Sequence, residues 1–446
     1  MSCPDRIPTM NLATDAMPPS LNVRAPWRLA VAALVVGLAG CSSFQRLQDE
    51  VDALDSRAVV MGKVVEGAQG DAPVYAVVYH HEADGRLAIE SAAEVAGGDR
   101  QFALTVPHRD DHRLAVFQDS DGDRAYTEGE PVWLYNGGQP VAFGTRRRTE
   151  VIPVRLAASN PALTPQFLAA IKEARARRDV PLGADQVTLR VGQIASFDDA
   201  RFAPQMGQKG LWEPFTSLND PGIGVYFVEP YDPKRIPVLF VHGAGGTPRD
   251  WAAVAGAIDT RRFQVWMYAY PSGLRLDACA GALSTLVGQL RAKYGFTEMH
   301  VFAHSMGGLV ARRYLELEST GLRAPLHGKF ITVATPWQGH EAADLGVAHA
   351  PAVVPSWIDM QVGSDYTSAL FKTPLPASMP SFLAFAYSGK RSMFLPSSND
   401  GSVSLESQLR WDAQRAAVEV RGFNAGHVSV LSSPELKAWI DGILTH

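Results

Sequence analysis

The chain carries two rhythms of hydrophobic and polar positions. Between about residues 59 and 156, apolar side chains come in short alternating or β-branched runs at 59–60, 74–79, 102–106, 114–117 and 151–154, with Gly- and Asp-containing turns between them. Such alternation buries one face of a strand and solvates the other, so the spacing predicts an all-β, sandwich-like domain over 59–157. Beyond residue 222 the pattern changes. Continuous apolar runs at 237–241, 299–302, 329–334 and 381–387, and an alternating run at 417–420, read as strands. A helix is predicted from Asp277, as its N-cap, through Leu290, another over 309–317, and a last one from near Pro434. Residues 162–178, rich in Ala, Arg and Leu, read as a helix inside a linker spanning 158–221.

The start of the chain has neither rhythm. Arg24 and Arg28 precede an apolar stretch over 29–40 that ends in small residues, the arrangement of a secretory signal. It is too short to span a bilayer, which takes about 20 residues. Leu38-Ala39-Gly40-Cys41 resembles a bacterial lipoprotein box. That resemblance implies a signal peptide over 1–40, removed so that Cys41 becomes the diacylated first residue, and translation from Met10 or Met17 would preserve it. Ser42, where Asp would retain the protein, resembles the pattern of outer-membrane sorting. The expected location is therefore the bacterial cell envelope, as an outer-membrane lipoprotein facing the periplasm or the cell surface. Residues 41–58 would be its polar tether, with 42–56 reaching at most about 50 Å if extended. Cys3 falls in the removed segment and Cys279 is left alone, so the mature chain has no intramolecular disulfide and depends on its cores. A net charge of −5 with mixed signs gives no nucleic-acid footprint, and Arg146-Arg147-Arg148 reads as a solvated loop.

The chemistry begins at Ala303-His304-Ser305-Met306-Gly307-Gly308, where a serine is pinned between a strand and a helix. A nucleophile at such a turn needs a strained backbone that projects its hydroxyl, and small residues two before and two after it. Here those are Ala303 and Gly307. The segment resembles the nucleophile elbow of the α/β hydrolases, with Ala303 where the usual pattern has glycine. The resemblance implies an α/β-hydrolase fold over 222–446, a mostly parallel sheet flanked by helices. It also implies a chain order of oxyanion loop, serine, acid and histidine.

Each part has a counterpart. The strand at 237–241 runs into His242-Gly243-Ala244-Gly245-Gly246, whose glycines leave backbone N–H groups unobstructed. In the lipases that this resembles, the residue after His-Gly and the residue after the serine donate to the oxyanion. Carried over, these are Ala244 and Met306, each worth roughly 3 kcal/mol of transition-state stabilisation. His242 is expected to brace the loop. A phosphate-binding turn is the other reading, but no Lys-Ser/Thr follows. Between the serine and the last helix the aspartates are Asp344, Asp359, Asp365, Asp400 and Asp412. Asp400, in Ser398-Asn399-Asp400-Gly401-Ser402-Val403, resembles the acid loop of bacterial lipases, although Asn-Asp-Gly is also a common turn. Asp359 and Asp365 are its rivals. His427, after Gly426 and between the last strand and the last helix, lies where the base belongs.

Thr335-Pro336-Trp337-Gln338-Gly339 resembles a turn of bacterial triacylglycerol lipases and GPI-inositol deacylases, which often carry histidine in place of Trp337. The implied activity is hydrolysis of carboxylic esters, with lipid or acyl substrates, through a Ser305-Asp400-His427 triad and an acyl-enzyme, without a cofactor. Acyl transfer by the same triad and a non-catalytic binding protein on the same scaffold are the alternatives. An apolar insertion over about 339–380 is either a lid or acyl-chain wall, or simply packs on the core. In the N-terminal domain Asp119, Asp121 and Asp123, with Glu128 and Glu130, form a candidate calcium cluster. It departs from an EF-hand because Gly122 is fourth and Arg124 sixth, and an acidic surface turn is the other reading.

Overall fold

The computed structural model describes residues 42–95, 100–124, 126–144, 149, 151–158, 169, 185–321, 324–390 and 398–445. The signal segment, Cys41, the basic run Arg146-Arg147-Arg148 and nearly all of the helix expected over 162–178 lie outside the described residues.

The N-terminal rhythm folds into β1 (Arg57–Glu66), β2 (Val74–His81), β3 (Leu87–Glu94), β4 (Gln101–Pro107), β5 (Arg113–Gln118), β6 (Val132–Leu134) and β7 (Ile152–Arg155). They make two sheets, β4-β1-β7 and β3-β2-β5-β6. Ala58, Val60 and Val64 of β1 share one core with Ala76 and Val78 of β2 and Val116 of β5, so the sheets bury their apolar faces against each other. The sequence reading lacked β3 and β6. β3 mixes Ala and Glu without an aromatic, and β6 is only three residues long.

The expected tether is not extended. Residues 46–56 are helical and β1 starts at Arg57. Leu47, Glu50 and Leu54 fall at helical spacing: Leu47 is fully buried and Leu54 packs on the main core. The Glu50 carboxylate accepts from the backbone N–H of Thr216 (2.8 Å) and from its hydroxyl. Segment 185–187 runs beside β4, with Thr105 N–H donating to Asp185 O (2.7 Å) and Val187 N–H to Ala103 O (2.8 Å). Residues 46–446 form one compact unit.

The second rhythm forms β8 (Leu189–Ile194), β9 (Ile223–Phe227), β10 (Ile236–Val241), β11 (Phe263–Ala269), β12 (His300–His304), β13 (Phe330–Val333), β14 (Ser381–Ala386) and β15 (Ala417–Phe423). The eight lie in the order β15-β14-β13-β12-β10-β11-β9-β8. Pairing is parallel except between β9 and β11. Both faces are covered. In β10, Val238 and Phe240 enter a core with Trp251 and Trp439, while Leu239 and Val241 enter one with Leu283 and Val310. Double-sided burial is why this strand reads as an unbroken apolar run.

Two expectations need correction. Residues 158–221 are not only a helical linker, because they supply the edge strand β8 beside the helix Pro204–Trp212. Asp277 is not an N-cap: Arg275 occupies the N-cap position of the helix Leu276–Tyr294 without a side-chain capping bond, and Asp277 sits in its first turn, paired with Arg313 (2.9 Å). A carboxylate there still suits the positive end of the helix dipole. The insertion folds into the helices Glu341–His349, Pro355–Met360 and Asp365–Ala369, and its Ala343, Met360, Leu370 and Met379 join the main core.

Candidate active site

Loops leaving the carboxyl ends of β10, β12, β14 and β15 converge, the usual place for a site in an open parallel sheet. Ser305 ends β12 and opens the helix Met306–Thr320 at φ 55°, ψ −133°, a conformation that costs a non-glycine residue about 1–3 kcal/mol. Close packing holds it there. A Cβ on Gly307 would lie 2.4 Å from His242 O, and one on Gly308 would lie 2.0 Å from Thr335 Oγ1. Gly307 is thus small because the helix meets the loop after β10.

The Ser305 hydroxyl lies 2.8 Å from His427 Nε2, and His427 Nδ1 lies 2.7 Å from Asp400 Oδ2. Asp400 is 1% exposed. Its Oδ1 accepts from the N–H groups of Ser402 (2.9 Å) and Val403 (2.7 Å), and Oδ2 also accepts from Gln408 Nε2 (3.1 Å). Burial opposes ionisation of this carboxyl, but the His427 contact and the two amides outweigh it and hold its pKa below the usual range. The backbone ties the loops together: His427 N–H donates to Asp400 O (2.8 Å), and His304 Nε2–H donates to His427 O (2.8 Å). His304 and Gln408 are positioning residues that the sequence reading missed. His304 was read only as part of the elbow, and Gln408 has no motif around it.

The rival acids are engaged elsewhere. Asp359 pairs with Arg275 (2.6 Å) and accepts from Leu276 N–H (2.7 Å), capping a helix. Asp365 is exposed in the first turn of a five-residue helix. Asp344 accepts from Val362 N–H (3.1 Å), and Asp412 pairs with Arg410 (2.9 Å).

The loop after β10, where the sequence analysis expects the oxyanion donors, runs close to Ser305. A Cβ on Gly243 would sit 2.9 Å from Ser305 Cβ and 3.3 Å from its Oγ, so only glycine lets the loop this close. Gly245 N–H donates to Ser272 Oγ (2.9 Å) and Gly246 N–H to Gly243 O (3.2 Å). Among the described residues no bond uses Ala244 N–H, and Met306 N–H is one of the donors that the first turn of a helix leaves free. His242 stacks on Tyr270 at 4.3 Å, and its Nδ1–H donates to Gly243 O (2.9 Å). Burial drives its pKa down to about 4, so it braces the loop as a neutral ring.

The family model described as the alpha/beta hydrolase family matches residues 238–438, a span that holds this whole arrangement. This part of the chain has the α/β-hydrolase fold. Among solved structures, the chain is similar to the mature lipase BlEst2 of Bacillus licheniformis at 17% identity, covering 49% of this chain and 97% of that one with a TM-score of 0.40. Lipase B of Aspergillus fumigatus is similar at 17% identity over 50% of this chain and 56% of that one, TM-score 0.37. The esterase RhEst1 of Rhodococcus sp. is similar at 13% over 50% and 96%, TM-score 0.33. No curated protein matches the chain.

Two other features of the molecule stand apart from Ser305, Asp400 and His427. A cavity of about 530 Å³ opens within the hydrolase domain, walled by Arg312, Thr332, Trp337, Phe371, Leu375 and Met379 among others, and none of its lining residues is Ser305, Asp400 or His427. In the N-terminal sheets, Asp119, Asp121 and Glu130 place ligand atoms within 4.8 Å of one another. Asp123 is outside that group, and Glu128 is exposed. The carboxylates serve as turn caps: Asp119 accepts from the N–H groups of Gly122 (2.8 Å) and Arg124 (2.8 Å), and Glu130 accepts from that of Thr127 (2.8 Å).

Proposed function

We propose that the chain is a serine hydrolase of carboxylic esters, acting on acyl or lipid substrates. The observation that carries this reading is the hydrogen-bonded relay from Ser305 Oγ through His427 to buried Asp400, at 2.8 Å and 2.7 Å, set on a strained turn. His427 Nε2 takes the Ser305 proton as Oγ attacks the carbonyl carbon. The negative charge that develops on the carbonyl oxygen is met by the N–H groups of Ala244 and Met306. Asp400 holds the imidazole with its proton on Nδ1 and stabilises the cation that forms, without being protonated itself. His427 then returns its proton to the leaving alcohol, and water resolves the acyl-enzyme by the same route.

An apolar acyl group suits the mouth of the site, where Val428 beside His427 is 64% exposed. Attachment through lipid on Cys41 would bring the enzyme to the envelope, where such esters are concentrated. The test is a fluorophosphonate probe together with p-nitrophenyl esters of increasing chain length. Labelling and hydrolysis should both disappear in Ser305→Ala, and longer chains should be turned over better than acetate. Product esters formed in the presence of added alcohols would instead identify an acyltransferase. Labelling that persists in Ser305→Ala would end the assignment.

A further inference from the structure

We propose that His80, Glu90 and His112 form a divalent transition-metal site of the zinc class in the N-terminal β-domain. One ligating atom from each lies within 4.8 Å of those of the other two. Three adjacent strands build the cluster. His80 is near the end of β2, and the β2–β5 register that pairs Tyr79 with Arg113 brings His112 opposite it. On the other side, β3 pairs Val78 with Ser91 and Tyr79 with Ile89, so Glu90 is the extra residue of a β-bulge. Bulges re-aim a side chain at the cost of local ladder pairing, and this one turns a carboxylate toward two histidines.

Two buried ring nitrogens point to an occupant. His80 is 8% exposed and His112 fully buried, yet Nδ1 of each has no hydrogen-bond partner. Leaving such an atom unsatisfied in the interior is costly. His112 Nε2 lies 2.6 Å from Pro107 O. A carbonyl can only accept, so the proton sits on Nε2 and the Nδ1 lone pair is bare. Metal-bound histidines are held in this way, with the second ring nitrogen donating to a backbone carbonyl.

The spacing fits as well. A tetrahedral ion with bonds of about 2.1 Å sets its ligand atoms about 3.4 Å apart. His80 Nδ1 and Glu90 Oε2 are 3.4 Å apart without hydrogen-bond geometry. Two imidazoles and one carboxylate suit Zn²⁺ and its neighbours, in contrast to the all-oxygen sets that calcium and magnesium prefer. The Glu90 side chain keeps 23% of its surface exposed, which leaves an entry path and room for water as the fourth ligand.

The test uses the full chain with a histidine-free affinity tag, stripped with EDTA and titrated with Co²⁺ and then Zn²⁺. One equivalent of Co²⁺ should give the intense visible absorption of a four-coordinate site, bleached by Zn²⁺, and Zn²⁺ should raise the melting temperature by several degrees. Glu90→Gln and His80→Asn should each weaken binding at least tenfold while leaving p-nitrophenyl acetate hydrolysis within twofold, which certifies the fold. Asp121→Asn, in the separate acidic turn, should not alter the spectrum. Failure to bind an equivalent of Co²⁺ or Zn²⁺ at micromolar concentration would overturn the proposal, as would binding that survives the Glu90→Gln, His80→Asn double variant.

Discussion

Single side chains carry sharply different burdens at the proposed active centre. Asp400→Asn keeps size and burial but removes the charge that fixes the imidazole, so it should lower kcat about 10⁴-fold with little change in fold. Asp359→Asn should barely touch kcat at low temperature yet lower the melting temperature, because Asp359 holds Arg275 and caps Leu276. Steady-state kinetics and thermal melts on both variants check the pair, and a reversed ranking would move the acid to the insertion. Ser305→Ala and His427→Ala should each lose about 10⁴- to 10⁶-fold, and the double variant should be little worse, because the groups act as a unit. Ser305, Asp400 and His427 were legible because each is a reactive side chain in a turn at the end of a recognisable strand. His304 and Gln408 were not. His304 bonds to His427 O across 123 residues of sequence, and Gln408, only eight residues beyond Asp400, reaches its Oδ2 from a short helix that no motif marks.

Burial alone did not decide which elements were legible: β9 and β11 are buried at every position and were not read as strands, whereas the largely exposed β15 was read from its alternation. β10, β12, β13 and β14 are covered on both faces and declared themselves as apolar runs. β8 did not: it reads Leu-Arg-Val-Gly-Gln-Ile, has no fully buried residue, and bends at Gly192 with φ 68°. What places it is parallel pairing with β9 and the packing of Leu189 and Val191 on the main core, tertiary facts that local pattern cannot carry. The elbow helix offers a test at this scale. Gly307→Ala puts a methyl 2.4 Å from the His242 carbonyl, a backbone group that cannot swing aside. The helix must retreat from the oxyanion loop, so the variant should lose about 1–3 kcal/mol of stability and most of its kcat together. A stable and fully active Gly307→Ala would refute the close approach. The helix Leu276–Tyr294 supplies a second test. Cys279 is fully buried and desolvation pushes its thiol pKa far up, so it should resist a thiol reagent until the protein unfolds.

At the scale of the whole molecule, stability should depend on pH through histidines that the fold keeps neutral. Burial drives the pKa down to about 4 for His242, about 4 for His300 and about 3 for His304. His300 shows the cost structurally: its Nδ1 accepts the Lys329 amide (3.1 Å), a bond that protonation would break. In the unfolded chain each ring titrates near 6.5. Above that pH neither state binds the proton and the three contribute no pH dependence. As the pH falls below 6.5 the unfolded state takes up protons that the folded state refuses, so stability declines until the folded pKa values near 4 and 3 are reached. Between pH 6.5 and 5 the loss should be roughly 2 kcal/mol per histidine. Paired carboxylates add their own loss only at lower pH, because their unfolded pKa values lie near 4. Denaturant midpoints measured from pH 7.5 to 5 should therefore fall steeply, with these three rings contributing nearly three protons to the uptake on unfolding, and His300→Gln should remove about one of them. A flat profile across that window would mean that the three rings can be protonated inside the fold, and would contradict their burial.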